Sequence, residues 1–427
     1  MQSIIDYILN YAKANVILTL IGILTSYQIL YLIVGFFSKK KVFKETSIKN
    51  KYGIIIAARN EEKVIGNLLI SLNNQTYDKS LYKIFVVSDN STDNTANIAR
   101  SHGATVYERF DLSKQRKGYA LQYLFTQIER DYKINSFDGF IFFDGDNLVD
   151  KNFITEINKA FVEKGNIVVG YRNIKNFDTN IISSAYGVHF YRSILNYHRP
   201  RERFNLGTHI AGTGYVIDSK LLLNGWNYYS LTEDTLLTLD LSSKGIKISF
   251  CESAVFYDEQ PTNFKTSYRQ RIRWTKGRLD AFITNFPKLI ISGIKRFSFT
   301  LYDLFFYSFP WPFYNLIKVI IFPIILGLIN KSIYTNIFWI DFLLVFGSMM
   351  LGMYFNNLIY GLFAVIREWD NIHAKNTKKI LAIFTYPWFN LLTIFLAIGV
   401  LINPNVKWKK IIHNDNRTIE ELDLYKK

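Results

Sequence analysis

Two carboxylates flank one glycine at Asp144-Gly145-Asp146, directly after the apolar run Phe137–Phe143. Oxygen ligands spaced this way at an open strand end suit a hard divalent cation, Mg2+ or Mn2+, which keeps positions free for water and phosphate. Asp-Gly-Asp-Asn is also good turn chemistry, and the pair alone does not choose between the two. A second apolar run, Tyr82–Ser88, ends in Asp89; nearby Asp93 could cap the helix that follows. Lys117-Gly118 precedes a helical stretch, where a lysine could meet a phosphate. Thr232-Glu233-Asp234 precedes the apolar stretch Thr235–Leu241. There Asp234 could act as a general base, or the three residues could cap the helix and complement its dipole. Gln270-Arg271-Ile272-Arg273-Trp274 sets two arginines beside an aromatic. That combination neutralises a diphosphate leaving group and offers a stacking face to a sugar; a basic interfacial helix has the same composition.

These residues need elements to position them. Tyr52–Ala58 is a short apolar, β-branched run that fits a buried strand, and Val64–Leu72 then shows helical spacing. The alternation continues: strand Tyr82–Ser88, helix Asn94–Ser101, short strand Thr105–Tyr107, helix Ala120–Glu129, strand Phe137–Phe143. It predicts a parallel α/β sheet, whose ligands bind at the carboxyl ends of the strands. Asp89 and the Asp144/Asp146 pair both stand at such ends. Cys251 is expected in the core of a strand.

The chain has 427 residues, enough for two or three units. With 49% hydrophobic and 20% charged residues it is not a disordered chain. Its single cysteine excludes an intramolecular disulfide framework and any cysteine-based zinc or iron–sulfur site. The net charge of +16 admits a nucleic-acid partner or an anionic membrane with anionic substrates. The basic excess is largely juxtamembrane and there is no zinc-finger, RRM or helix-turn-helix signature, so no nucleic acid is expected.

Val16–Phe37 is uncharged and long enough to span a bilayer, and Lys39, Lys40, Lys41, Lys44, Lys49 and Lys51 follow it. The positive-inside rule then delivers the next segment to the cytoplasm. Residues 301–329, 337–366 and 380–402 are three further apolar runs, the first interrupted by Pro310, Trp311, Pro312 and Lys318. The expected organisation is an N-terminal membrane helix with a basic flank (1–50), a cytoplasmic domain (51–285), an interfacial amphipathic segment (286–310), C-terminal membrane helices (311–402) and a basic tail (403–427). This multi-pass cell-membrane arrangement carries a conflict. The basic stretches Arg367–Lys379 and Lys407–Lys410 both read as cytoplasmic, and they cannot share a side if 380–402 crosses once.

The series Asp89, Asp144-Gly145-Asp146, Thr232-Glu233-Asp234 and Gln270-x-x-Arg273-Trp274, set between membrane helices, resembles the processive family 2 glycosyltransferases, the synthases of cellulose, chitin, hyaluronan and poly-N-acetylglucosamine. The resemblance covers about residues 50–280 by motif. It implies a GT-A, Rossmann-like nucleotide-sugar-binding domain inserted between transmembrane helices, and an inverting mechanism. Asn60, Glu61, Asp89, Lys117 and Asp144 would bind the nucleotide-sugar, with Asp146 and Asp144 at the metal. Asp234 would deprotonate the acceptor. Glu233, Gln270, Arg271, Arg273 and Trp274, with Gly212 and Thr213 of the loop Ile210–Tyr215, would hold the acceptor sugar and the departing diphosphate. Trp408 and His413 resemble a tail motif found near the membrane in some relatives. Where many relatives have two aspartates this chain has Ser88-Asp89, and Ala211 stands near the place of a cysteine common in several synthases. No fused cyclic-dinucleotide sensor is expected after Ile402. The implied reaction transfers sugar from a UDP-sugar, UDP-N-acetylglucosamine or UDP-glucose, to a growing β-linked polysaccharide; the alternative is one addition to a glycolipid acceptor such as ceramide or diacylglycerol. The implied partners are the UDP-sugar, the acceptor and membrane lipid, with a homo-oligomer or an accessory export protein if a polymer is to pass through so few helices.

Overall fold

A computed structural model describes residues 16–329, 337–407, 410–411 and 413–423. Residues 1–15 of the expected N-terminal segment, and Trp408 and Lys409 of the tail, lie outside the described residues. Eight strands form one sheet in the order β3-β2-β1-β4-β7-β6-β8-β5. They are β1 (Tyr52–Ala58), β2 (Tyr82–Asp89), β3 (Thr105–Arg109), β4 (Gly139–Asp144), β5 (Leu148–Val149), β6 (Ile167–Ile174), β7 (Tyr215–Asp218) and β8 (Ile248–Asp258). β1 to β4 are parallel, as the alternation predicts. The second half corrects the expectation of a purely parallel sheet. β7 runs antiparallel between β4 and β6, and β5 runs antiparallel to β8. β7 follows a long excursion, 175–214, rather than a single crossover helix, so nothing obliges it to enter the sheet in the parallel sense.

Register brings the chemistry to one edge. Ala58 pairs with Ser88 and Ala57 with Asp144, so Asp89 and Asp144 emerge on either side of β1 at the carboxyl ends of β2 and β4. Burial of both sheet faces explains the apolar strands. Ile54, Ile56, Val86, Ile141 and Phe143 pack on helices Ile65–Asn73 and Phe153–Lys164. Ile55, Phe85, Val87 and Phe142 pack on helix Lys117–Asp131 and Trp226. Cys251 lies in β8 and is buried.

A third core joins the domain to the apolar helices. Helix Ile181–Ser193 packs through Tyr186, Val188 and Tyr191 on Ala364, Val365, Ile383 and Tyr386. Among the described residues three helices are long and apolar enough to cross a membrane: Leu20–Phe37, Phe338–Arg367 and Asn376–Ile402. Phe299–Ser308 with Trp311–Ile325 makes a fourth if counted as one span, but the pair is bent by 58° where Pro310 interrupts the run. The stretch 286–310 comprises the end of the long helix Phe264–Arg296 and the short helix Phe299–Ser308.

Candidate active site

A cleft of about 260 Å³ opens at the carboxyl edge of β1, β2 and β4. Its walls include Glu61, Asp89, Lys117, Asp144, Asp146, Gly212, Glu233, Asp234, Gln270, Arg273 and Trp274. Distant parts of the sequence therefore meet here.

Lys117, the first residue of helix Lys117–Asp131, donates to Asp144 Oδ1 at 2.5 Å and to the Gly212 carbonyl at 2.9 Å; Glu233 Oε1 lies at 3.9 Å. Gly118 makes this approach feasible, because a Cβ there would fall 2.0 Å from the Tyr228 carbonyl oxygen. Gly212 has φ +88°, a left-handed turn that favours glycine, and its vacant side faces Asp234. Asp234 stands in the first turn of helix Glu233–Ser243 and accepts from the Thr235 N–H at 2.8 Å. Its neighbour Glu233 is buried, and burial raises its carboxyl to about 7 against the opposing pull of Lys117.

Asp89 accepts from Arg109 at 2.5 Å and from Asn90 at 2.9 Å, yet burial still pushes its pKa up. Asp146 is only 4% exposed; burial raises it, and nearby Asp258, Asp144 and Glu61 add to the rise while His413 opposes it. His413 sits 3.2 Å from Glu61 Oε2 and 3.6 Å from Asp146 Oδ2. Burial works against its charged form, but Asp146, Glu61 and Glu259 outweigh that and hold the imidazole up to about 10. The tail that carries His413 is tied down along its length. Lys410 donates to the Asn60 carbonyl, the Asn414 and Asp415 N–H groups donate to Glu259, and Arg417 pairs with Asp178 at 3.1 Å.

Acids outnumber cations at this end of the cleft, and the imidazole is held charged for that reason. The donor set fits a divalent cation, with Asp146 and His413 as protein ligands and Asp144 alongside, the cation's charge taking the place of the proton that these acids hold on the imidazole. Among the described residues no group of three or more His, Cys, Asp or Glu side chains is preassembled around one point. A cation here would rely on phosphate and water for its remaining ligands, as Mg2+ and Mn2+ sites commonly do.

Three expected site residues are placed elsewhere. Arg271 is buried on the far side of its helix, its guanidinium 3.7 Å from the centroid of the Phe389 ring. Thr213 is buried behind the cleft wall, donating to Asn147 and accepting from the Asp144 N–H. Asn60 does not line the cleft; its side chain accepts from the Thr92 N–H and its carbonyl meets Lys410. Thr213 and Asn60 position the loops that carry Asp144 and Glu61. Conversely, Arg172, Asp258, His189, Arg278 and Tyr307 line the cleft without having been expected there. Asp258 carries the same signal as Asp89 and Asp144, an acid at the end of an apolar strand, and was legible on that ground. The tail resemblance pointed His413 toward the membrane; the structure puts it in the cleft.

Comparison with known proteins bears on this arrangement. The model of the family described as "Glycosyltransferase like family 2" matches residues 50–277, more than half of the chain. "Probable glycosyltransferase YdaM" of Bacillus subtilis (strain 168) is 28% identical over 273 residues, 60% of this chain and 64% of that protein. The "Beta-monoglucosyldiacylglycerol synthase" of Nostoc sp. (strain PCC 7120 / SAG 25.82 / UTEX 2576) is 25% identical over 237 residues, 54% of this chain and 49% of its own length. The chain thus spans less than two thirds of each of these two relatives. A solved structure, "Mannosyltransferase PcManGT from Pyrobaculum calidifontis in complex with GDP-Man and Mn2+", superposes with a TM-score of 0.54 at 14% identity, covering 91% of this chain and 98% of the other. The shared architecture is a mixed α/β, GT-A-like fold.

Proposed function

We propose that this chain, which belongs to glycosyltransferase-like family 2, transfers a hexosyl residue from a UDP-sugar to an acceptor hydroxyl at the membrane, with inversion at the anomeric carbon. UDP-N-acetylglucosamine and UDP-glucose are the favoured donors. The observation that carries this reading is the meeting in one cleft of a helix-borne carboxylate, Asp234, with Lys117, Arg273 and the Asp146–His413 pair.

In this reading Asp89 and Glu61 face the nucleotide end, and Lys117 and Arg273 offset the charge that grows on the departing diphosphate. A divalent cation held by Asp146 and His413, with Asp144 beside it, would supply Lewis-acid stabilisation of that leaving group. Trp274 and Gln270 orient the acceptor. Asp234 accepts the proton of the attacking hydroxyl, the new C–O bond forms at the anomeric carbon, and the C–O bond to phosphate breaks with its electrons leaving on the diphosphate. An α-linked donor gives a β-linked product. Glu233, raised to about 7, is well placed to keep the charge beside Lys117 low until the donor arrives.

Two acceptors fit this chemistry. One is the end of a growing β-linked polysaccharide passed outward across the cell membrane, supported by the Gln270-x-x-Arg273-Trp274 pattern and the attached apolar helices. The other is a lipid, supported by similarity to the diacylglycerol glucosyltransferase and by the position of the cleft beside the bent apolar pair. The catalytic domain faces the cytoplasm in both. The test uses purified protein in lipid nanodiscs with a panel of UDP-sugars and GDP-mannose, plus Mg2+ or Mn2+. Nucleotide release with a ladder of products selects the polymer, release with one added sugar on lipid selects the glycolipid, and no release with any donor sinks the enzymatic reading.

A further inference from the structure

The cleft is polarised. Its acids gather around Lys117 and His413, whereas at the opposite end, framed by Trp274, Arg278, Tyr307, His189 and Phe190, the carboxylates besides Asp234 already have arginine partners, Asp258 on Arg172 and Asp303 on Arg201. Arg278 follows Gln270 and Trp274 on one face of helix Phe264–Arg296, two turns on from Gln270. Its guanidinium lies 5.6 Å from the centre of the Tyr307 ring and touches the Tyr307 hydroxyl only at 3.5 Å, the outer limit of a hydrogen bond. Behind it, Arg192 contacts Asn357 and Tyr386, and Arg271 contacts Phe389. Among the described residues, none of these three arginines forms an ion pair with a carboxylate. His189 is half-buried among them, and its Nδ1 atom is buried with no hydrogen-bond partner. Burial and the guanidinium groups of Arg278, Arg192, Arg271 and Arg172 hold it neutral. A buried imidazole nitrogen without a partner, beside the exposed Arg278 guanidinium that no carboxylate takes, leaves hydrogen-bonding capacity for a ligand.

The ligand side is set by what lies next. Tyr307 is followed within two residues by the bend that leads into Trp311–Ile325. Phe282, Phe305, Phe309 and Trp311 pack beyond it in an aromatic cluster of tilted and edge-to-face rings. We propose that this end of the cleft is an anion subsite for the acceptor, and that the acceptor is a lipid whose headgroup carries a phosphodiester a few bonds from the attacking hydroxyl. Arg278 is the principal contact and the His189 ring the second. This rests on the transferase reading above and specifies its lipid acceptor. The hydroxyl proton goes to Asp234, the glycosidic C–O bond forms as the anomeric C–O bond to the nucleotide diphosphate breaks and the diphosphate leaves with the electron pair, and the lipid phosphodiester is untouched throughout.

The experiment places the full chain in phosphatidylcholine nanodiscs with its preferred nucleotide-sugar and metal, and offers phosphatidylglycerol, diacylglycerol or soluble glycerol phosphate as acceptor. Wild type should favour phosphatidylglycerol over diacylglycerol by about tenfold or more in kcat/KM, with glycerol phosphate poor. Arg278→Ala should erase most of that preference through acceptor KM, and Arg278→Lys should keep part of it. Equal use of charged and neutral lipids by wild type overturns the proposal. So does an Arg278→Ala variant whose defect is in donor KM, seen as nucleotide release to water, because the guanidinium then serves the donor diphosphate. Glycerol phosphate used as well as the lipid would overturn the lipid assignment. No nucleotide release by wild type with any acceptor or with water fells the transferase reading itself, and this proposal with it.

A separate observation carries a second inference. Both ends of Asn376–Ile402 touch the catalytic domain. At its start Lys378 donates to the Asp178 carbonyl; near its end Tyr268 donates to the Phe395 carbonyl at 3.4 Å and Gly399 packs against Ile272. The tail beyond returns to Asp178 through Arg417. Its outward face, with Ile380, Leu381, Phe384, Trp388 and Phe395, is apolar and exposed. We infer that this segment lies in the membrane interface against the domain and makes no crossing, which removes the conflict between the two basic stretches. In a Cys251→Ser background, Thr377→Cys and Asn405→Cys should react with an impermeant maleimide from the same side of the membrane as Asn224→Cys in the domain. Labelling of 377 and 405 from opposite sides would overturn it; retained transferase activity certifies each variant as folded.

Discussion

Around Arg199 and Arg201 each buried charge meets its opposite. Arg199 pairs with Glu252 and with Glu368 at 2.6 Å and donates to the Gly35 carbonyl. Arg201 grips Asp303 with two nitrogens at 2.7 and 3.0 Å, and Tyr27 and Tyr31 donate to the same carboxylate at 2.8 Å. In the cleft the reverse holds. Carboxylates crowd around Asp146, and Ser230 Oγ, Thr232 Oγ1, Gln270 Oε1 and His189 Nδ1 are buried without partners. Both regions are polar and hold buried polar atoms. The first is complete by itself and ties the first helix, the domain and the last helices together; the second is complete only with ligands. Satisfaction of hydrogen bonds, rather than burial or charge, separates scaffold from site.

The sharpest way to break this contrast is Asp234→Asn. Turnover should fall by about 10²–10⁴-fold, the range for loss of a general base, with no change in melting temperature. A variant that melts early would move Asp234 to the scaffold side. Arg201→Met should do the opposite, costing about 3–5 kcal/mol by stranding Asp303 among Tyr27 and Tyr31, as read by thermal unfolding in detergent. The double change Arg201→Met with Asp303→Leu should recover much of that loss. His413→Ala should raise the half-saturating Mn2+ or Mg2+ concentration by about 10- to 100-fold, a size typical of residues that support a metal site; chelation of the metal should stop turnover in wild type.

The smallest effect concerns Glu233. Its carboxyl is raised from 4.5 to about 7 in the fold, so between those pH values the folded state holds a proton that the unfolded state has released. Stability contributed by this group is full below about pH 4.5 and declines as pH rises toward 7. Glu233→Gln should flatten that decline in denaturant titrations across the window, and an unchanged slope would contradict the assignment.

Much of this site was readable before folding, because its signals are local. Acids at the ends of apolar strands marked Asp89, Asp144 and Asp146, and helix-start acids marked Asp234. Gln270, Arg273 and Trp274 sit at i, i+3 and i+4 and share a face. The same geometry explains the miss at Arg271: one residue on from Gln270 is about 100° round the helix, which turns it to Phe389. Arg278 continues the Trp274 face by one turn and follows from that spacing too. His189, Tyr307 and Arg172 left no local trace, since each is brought in by tertiary packing from a helix or strand whose own pattern is that of core. The antiparallel β7 was equally hidden, because direction in a sheet depends on the connection and not on the strand's residues.

The tail contact has a consequence in time. His413 meets Glu61 across 352 residues, and every candidate membrane span beyond the domain lies between Trp274 and His413. A ribosome working at ~5–20 residues per second needs on the order of ten seconds to travel from one to the other. Throughout that interval the domain can fold and bury its sheet, but the proposed cation site would lack His413. On that reading the nascent chain would stay silent toward a donor until its apolar segments had already met the bilayer.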